Sequence, residues 1–183
     1  MNPPSKVLLM GHPNVGKSAL FNRLAGADIT DSNYPGTTVD YMESELTLDG
    51  RTVPIVDLPG TFSLDPKDRA EEVAVELLEE NPDAIVICVV DATRFERGLN
   101  LVLEILEREH HVVVAVNMWD EANRKNIDID LEKVEEYLDV PAVPTVAIEG
   151  VGIKDLIDRF EDASSPTIDE IRRRLEGPPA VEA

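Results

Sequence analysis

Short runs that are apolar at every position recur along the chain, and amphipathic segments with helical spacing separate them. The clearest runs are "KVLLM", "AIVICVV" and "VVVAV", and the helical spacing shows first at Ala19, Leu20 and Leu24. Strands that are apolar throughout are buried on both faces, as in a parallel sheet covered by helices. The pattern predicts an α/β fold whose ligands bind at the carboxyl ends of the strands.

One part of the chain departs from this alternation. "VDYMESELTL" and "RTVPIVDL" flank Asp49-Gly50, which predicts a hairpin and therefore one antiparallel strand in a mostly parallel sheet of six strands. Residues 27–38 are polar, lack periodicity and contain Pro-Gly, which predicts a functional loop. Further helices are expected near 67–80, 98–109, 130–138 and 152–160.

Composition limits the function classes. With 183 residues, of which 43% are hydrophobic, we expect one globular domain over residues 1–163, followed by a tail or linker at 164–183 with a short helix capped near Thr167. The single cysteine, Cys88, lies in an apolar run, which fits an intracellular, cytoplasmic location. A net charge of −20 argues against nucleic acid as a partner, and no apolar stretch is long enough for direct membrane insertion.

The segment "GHPNVGKS" at 11–18 lies between a predicted strand and a predicted helix. It satisfies G-x-x-x-x-G-K-[ST], a loop that binds phosphate. Gly11 and Gly16 let the backbone curl so that several N–H groups face one anion, Lys17 supplies a mobile positive charge, and the Ser18 hydroxyl suits Mg²⁺. His12 is interpreted as a tolerated loop residue.

Further metal and phosphate ligands are expected from two later segments. "NYPGTTVD" offers the hydroxyls of Thr37 and Thr38, and Asp57 ends a buried strand, where it can hold the metal directly or through water. Gly60 offers a backbone N–H to the γ-phosphate. The alternatives are that the threonines merely start a strand and that "DLPG" is an ordinary turn, but the order of these segments after a phosphate loop favours a nucleotide switch.

"NMWD" at 117–120 follows an apolar strand and predicts a base site. The Asp120 carboxylate can accept hydrogen bonds from N1–H and the exocyclic amine of guanine, whereas adenine presents an acceptor at N1. Asn117 is expected to brace the base site and Met118 to cover the base face. Backbone N–H groups near Ala147 and Ile148, in "VAIEGVGI", are candidates for the guanine carbonyl oxygen, although this segment can also be an ordinary strand-helix connection.

Together these segments resemble the P-loop GTPases, and more narrowly the cytoplasmic G domain of the ferrous iron transporter FeoB. The resemblance covers roughly residues 5–160, and "DLPGTFSL" and "ATRFERGLNL" are its most specific parts. It implies a three-layer P-loop GTPase fold with helices on both faces. It also implies slow, Mg²⁺-dependent hydrolysis of GTP to GDP, in a switch that regulates Fe²⁺ uptake.

The resemblance also suggests how hydrolysis proceeds without a glutamine after Gly60, where this chain has Thr61. In the family, the residue corresponding to Asn14 helps to hold K⁺ beside the β- and γ-phosphates. The catalytic residues expected are Asn14, Lys17, Thr38 and Gly60, and the metal ligands expected are Ser18, Thr38 and Asp57 for Mg²⁺ and Asn14 for K⁺. The nucleotide-binding residues expected are Gly11, Asn14, Val15, Gly16, Lys17, Ser18, Ala19, Gly36, Thr37, Thr38, Asp57, Gly60, Asn117, Met118, Asp120, Ala147 and Ile148.

Relatives of this kind continue into a helical domain and a membrane transport domain, which the residues after Ser164 cannot contain. The chain is therefore interpreted either as an excised domain or as a free-standing relative. Two other functions stay open: a nucleotide-sensing module with incidental turnover, and a GTPase of ribosome assembly or tRNA modification. The acidic composition argues against the last of these.

Overall fold

The computed structural model describes residues 4–48 and 50–176, which form a sheet with helices packed on it. In chain order the strands are β1 (Val7–Gly11), β2 (Thr30–Asn33), β3 (Asp40–Leu48), β4 (Arg51–Asp57), β5 (Ile85–Asp91), β6 (His111–Asn117) and β7 (Ala142–Pro144). The helices are α1 (Lys17–Leu24), α2 (Arg69–Glu79), α3 (Phe95–Glu107), α4 (Trp119–Arg124), α5 (Leu131–Leu138), α6 (Ile153–Asp158) and α7 (Ile168–Glu176).

The strands lie in the order β2-β3-β4-β1-β5-β6-β7. β1 is parallel to both of its neighbours, with Leu8 opposite Val56 of β4 and Val86 of β5. β3 is antiparallel to β2 and to β4, so it alone runs in the reverse direction. Because the chain passes from β1 to neighbours on opposite sides, the loops at the carboxyl end of β1 diverge and leave a crevice for a ligand.

Helices cover both faces of the sheet, as predicted. On one face, α2, α3 and α7 bury side chains such as Leu78, Leu101 and Ile171 in a common apolar core. On the other face, α1 and α6 contribute Phe21 and Leu156 to a second core. The continuous apolar strands therefore have a packing partner on each side, which explains why they do not alternate with polar residues.

The sheet has seven strands where six were expected, because β2 lies inside the predicted loop at 27–38. Thr30, Asp31 and Asn33 are exposed, and the strand pairs through its backbone with the amino-terminal half of β3. An edge strand of this kind buries no apolar face, so it has no hydrophobic alternation to reveal it. The prediction of a continuous loop is therefore wrong for these four residues.

The hairpin of β3 and β4 is confirmed, with Leu48 opposite Arg51 at its closed end. Asp49 of the predicted turn lies outside the described residues. Gly50 has a φ of 75°, the left-handed conformation that glycine adopts without strain.

The predicted helix in the tail is confirmed as α7. The Thr167 hydroxyl accepts a hydrogen bond from the Glu170 N–H at 3.3 Å, and the Glu170 carboxylate accepts one from the Thr167 N–H at 2.8 Å. This reciprocal pair is a capping box. The division at residue 163 stays a prediction, although α7 packs on the core through Ile171, and the predicted fraying beyond 176 lies outside the described residues. Among the described helices, none has the length and apolar character needed to cross a bilayer.

Candidate functional site

The phosphate loop connects the carboxyl end of β1 to the first turn of α1. Asn14 and Gly16 have left-handed backbones, with φ of 66° and 84°. A Cβ on Gly16 would lie 2.2 Å from Asn117 Nδ2, so only glycine fits between the loop and β6. Val15 is buried beneath the loop, and Ala19 packs on the same core. The loop thus has the curled shape that aims backbone N–H groups at an anion.

Three of the predicted phosphate and metal residues lie together at the start of this loop's helix. Lys17 Nζ donates hydrogen bonds to Asp57 Oδ1 and to the Leu58 carbonyl. Ser18 Oγ donates to Asp57 Oδ2 at 3.2 Å. The Asp57 carboxylate is buried, and Lys17 compensates its charge. Hydroxyl and carboxylate oxygens are the ligands that Mg²⁺ prefers, so this pair fits the ion.

The chain after Asp57 is fixed against the phosphate loop. The Thr61 N–H donates to the Gly11 carbonyl at 3.0 Å, and a Cβ on Gly60 would lie 3.2 Å from Pro13. The Thr61 side chain is fully buried, and its hydroxyl donates to the Ser63 carbonyl at 2.7 Å. Thr61 therefore uses its hydroxyl to shape the turn and does not offer it to a ligand.

Gly36, Thr37 and Thr38 lie in a turn between β2 and β3. Thr37 Oγ1 donates to the Tyr34 carbonyl at 2.9 Å. Tyr34 Oη donates to Glu80 at 2.6 Å, and this bond raises the pKa of Tyr34 to about 12. Within the described residues, Thr38 makes no side-chain hydrogen bond to Ser18 or Asp57. The structure thus joins Lys17 and Ser18 to Asp57 and places Gly60 against Pro13, whereas Thr38 has no hydrogen bond to this group within the described residues.

The other end of the crevice is organised by Asn117, which is buried at the end of β6. Its Nδ2 donates to the Val15 carbonyl at 2.9 Å. Its Oδ1 accepts from Thr145 Oγ1 at 3.1 Å and from the Ala147 N–H at 2.9 Å. One side chain therefore joins the phosphate loop to the predicted base loop.

The remaining predicted base residues surround this junction. Met118 has a left-handed backbone with a φ of 60°, and Asp120 is half-buried in the first turn of α4, where it pairs with Arg124 at 2.8 Å. The Ala147 N–H already donates to Asn117. Within the described residues, the Ile148 N–H has no hydrogen-bond acceptor, which makes it the available donor of the two predicted at this loop.

A cavity of about 190 Å³ adjoins the loop beside Asn14, with His12, Phe62 and Arg97 in its lining. The His12 and Phe62 rings lie 5.2 Å apart, and the Arg97 guanidinium lies 5.7 Å from the centre of the Phe62 ring. Burial lowers the pKa of His12 from its usual value, the Phe62 backbone opposes this shift, and the Arg97 charge lowers the pKa further.

Sequence reasoning missed two groups that hold the site together. Thr145 directly follows the strand before the base loop, and this position is the only signal for its bond to Asn117. Arg23 lies on α1 and donates to the base loop across 124 residues of sequence, which no local pattern indicates. Within the described ranges, no three His, Cys, Asp or Glu side chains are grouped as a metal site.

Comparisons with known proteins identify the family of this chain. The family described as "Ferrous iron transport protein B" matches residues 5–160. The chain is 41% identical over 141 residues to the Fe(2+) transporter FeoB of Helicobacter pylori J99, covering 77% of this chain and 22% of that protein. It is 37% identical over 160 residues to FeoB of Escherichia coli K12, covering 84% and 21%. The chain thus spans about a fifth of the length of these curated relatives.

Solved structures give the same family. The cytosolic domain of T. maritima FeoB in its GMPPNP form has a TM-score of 0.81 and 38% identity, covering 86% of this chain and 62% of that one. The G domain of T. maritima FeoB has a TM-score of 0.74 and 35% identity, covering 93% and 98%. The fold is that of a P-loop GTPase, and the chain belongs to the ferrous iron transport protein B family.

Proposed function

We propose that this chain binds guanine nucleotides and hydrolyses GTP slowly, as a switch that regulates Fe²⁺ uptake by a FeoB-type transporter. The observation that carries the proposal is the Asn117 junction, which ties a phosphate-binding loop to a base-binding loop at one crevice. A ligand with a phosphate chain at one end and a base at the other satisfies both loops at once. Solved relatives are described in GDP and GMPPNP forms.

The phosphate end of the crevice offers backbone donors, a lysine and oxygen ligands for cations. Backbone N–H groups of the curled loop from Gly11 to Ala19 surround the phosphates, and Lys17 exchanges its contact with Asp57 for one with a phosphate oxygen. Ser18 and Asp57 hold Mg²⁺. Asn14 is exposed on the loop, and within the described residues its amide makes no side-chain hydrogen bond, so its oxygen fits K⁺. When bound, these cations supply positive charge against the phosphate oxygens, which is the main requirement of phosphoryl transfer.

The switch consists of the two segments that flank the phosphates. Gly60 already lies against the phosphate loop and offers its N–H to a γ-phosphate. Thr38 would complete the Mg²⁺ ligands once the turn at 34–39 brings its hydroxyl to Ser18 and Asp57. Because Thr61 is buried and occupied, the backbone of these segments orients the water, and we expect slow hydrolysis.

Regulation of Fe²⁺ uptake rests on the relatives, which are described as Fe(2+) transporters and of whose length the match to this chain covers about a fifth. The partners proposed are therefore a helical domain and a membrane transport domain, with this chain on the cytoplasmic side. A second candidate, a nucleotide-sensing module with incidental turnover, is favoured by one observation, the engaged hydroxyl of Thr61.

Exchange of the base-reading carboxylate tests the proposal. Asp120→Asn replaces an acceptor by an amide donor, so GDP affinity falls on the order of a hundredfold while xanthosine diphosphate, which carries an extra carbonyl, binds more tightly. Titration of both nucleotides by fluorescence measures the exchange. Glu121→Gln removes a neighbouring charge as the matched control and leaves GDP affinity unchanged. Unchanged GDP binding by Asp120→Asn would refute the assignment of the base site.

A further inference from the structure

Arg23 connects the helix of the phosphate loop to the base loop. It lies in the last turn of α1, the helix that begins with Lys17 and Ser18. Its Nε donates to the Ala147 carbonyl at 3.0 Å, and its Nη2 donates to the Ile148 carbonyl. Two carbonyls in succession are thus held by one guanidinium, whose planar array of donors suits such a pair.

The base loop packs around this guanidinium. Val146 and Val151 pair across a short turn, with N–H to carbonyl distances of 3.1 and 3.2 Å. Gly150, at a φ of 78°, lies against Arg23, since a Cβ there would be 3.4 Å from Nη1. The turn therefore approaches Arg23 from two sides, and among the described residues Arg23 is the α1 side chain that forms hydrogen bonds to it.

The contact with Ala147 fixes the direction of a donor. The Ala147 carbonyl and the Ile148 N–H belong to one planar trans peptide, in which the two groups point in opposite directions. The Ala147 carbonyl accepts from Arg23 and also from the Gly150 N–H at 3.2 Å, so Arg23 and the turn together direct this carbonyl, and the Ile148 N–H points to the other side of the loop. That N–H has no acceptor within the described residues, whereas the Ala147 N–H is engaged by Asn117.

We infer that Arg23 is a positioning residue for guanine recognition, which aims the Ile148 N–H at the carbonyl oxygen of the base and so slows nucleotide release. The inference rests on the proposed function, because it requires a guanine nucleotide in the crevice. It adds a link between the two ends of the ligand, because α1 begins at Lys17 in the phosphate loop and carries Arg23, which orients the base loop, in its last turn.

A paired comparison of nucleotides tests the inference. Replacing the guanine oxygen by sulfur, as in 6-thio-GDP, leaves the rest of the base edge in place and weakens acceptance from the Ile148 N–H. Dissociation of fluorescent mant-GDP and mant-6-thio-GDP is followed by stopped-flow chase from the wild type and from Arg23→Ala. We expect Arg23→Ala to release GDP on the order of tenfold faster and 6-thio-GDP only about twofold faster, because the lost orientation matters most for the stronger acceptor.

Two variants control this experiment. Arg23→Lys retains the charge and contacts one carbonyl, so its release rate lies between those of the wild type and Arg23→Ala. Arg51→Ala removes an exposed arginine from the hairpin and releases both nucleotides as the wild type does. If Arg23→Ala released both nucleotides faster by the same factor, or released neither faster, the proposed role of Arg23 would be overturned while the proposed function would stand. A wild type that binds neither nucleotide would instead overturn the proposed function.

Discussion

Gly16 and Asn117 occupy adjacent positions with no space between them, and this contact gives the sharpest local test. Alanine at 16 places a methyl group 2.2 Å from Asn117 Nδ2 and in a left-handed backbone at a φ of 84°. The backbone strain alone costs about 1–2 kcal/mol. The clash also displaces the side chain that holds both loops of the crevice.

Gly16→Ala is therefore expected to weaken GDP binding on the order of a hundredfold while the fold is retained. The matched control is Gly50→Ala, because Gly50 also has a left-handed backbone, at a φ of 75°, with nothing within 4 Å of an added Cβ. This variant bears the same strain without the clash and binds GDP as the wild type does. Isothermal titration of both variants makes the comparison, and equal affinities would show that the Gly16 contact does not matter for the ligand.

His110 gives the molecule a dependence on pH. It is 4% exposed, and Nδ1 has no hydrogen-bond partner in the described part of the chain. Burial lowers its pKa from 6.5, Arg108 and His111 lower it further, and Glu79 opposes them. The unfolded chain therefore takes up a proton more readily than the folded one, so this histidine reduces stability as the pH falls through 6.5 and below.

His110→Gln removes this effect and leaves all carboxylates in place. Urea unfolding at about pH 7.5 and about pH 5.5 measures the change in stability for both proteins. The loss of stability on acidification is expected to be smaller in the variant than in the wild type. An equal or larger loss in His110→Gln would contradict the assigned direction, whatever the carboxylates contribute to both curves.

Contacts between side chains that belong to known motifs could be predicted from the sequence. Contacts between residues that lie far apart in the sequence and belong to no shared motif could not. Lys17, Ser18 and Asp57 were expected together because a phosphate loop and a strand end meet at one edge of a parallel sheet. Arg23 was not, because its partners lie 124 and 125 residues away in the sequence and an arginine on a helix surface is ordinary. Sequence also did not show that Asn117 occupies the Ala147 N–H.

Among the elements, those with a strong apolar pattern were predicted and those without one were missed. Strands β5 and β6 are apolar along nearly their whole length and are buried. β2 is polar and is defined only by backbone pairing with β3. Helix α4 has six residues, too few for a period to show. The predicted loop at 27–38 is thus where the sequence-based prediction and the structure differ.

Helix α7 tests where the domain ends. Ile171 is 3% exposed and lies in the apolar core to which α3 also contributes, whereas Leu175 on the same helix is 61% exposed. Ile171→Ala is expected to lower the free energy of unfolding by about 2–4 kcal/mol, through lost burial and the cavity left behind. Leu175→Ala changes it by less than about 0.5 kcal/mol. Urea unfolding compares them, and equal small effects would place α7 outside the cooperative unit.

The whole chain is a strongly acidic P-loop GTPase domain that spans about a fifth of its curated relatives. Its net charge is −20, and at the phosphate loop the Lys17 ammonium pairs with the Asp57 carboxylate. Recognition of the fold and the family was possible from sequence because several motifs occur in the order that one crevice requires. Hydrolysis, and its dependence on cations, is a property of the assembled site and has to be measured.

That measurement is GTP turnover by the purified chain with Mg²⁺, in KCl and in NaCl at equal ionic strength, with ATP as the nucleotide control. We expect slow turnover that is specific for GTP and on the order of tenfold faster in KCl, because a cation held by Asn14 stabilises the transferring phosphoryl group. Asn14→Ala should lose the difference between the salts, and Asn22→Ala, an exposed asparagine of α1, should retain it. The absence of GTP-specific turnover in both salts would contradict the proposed GTPase switch.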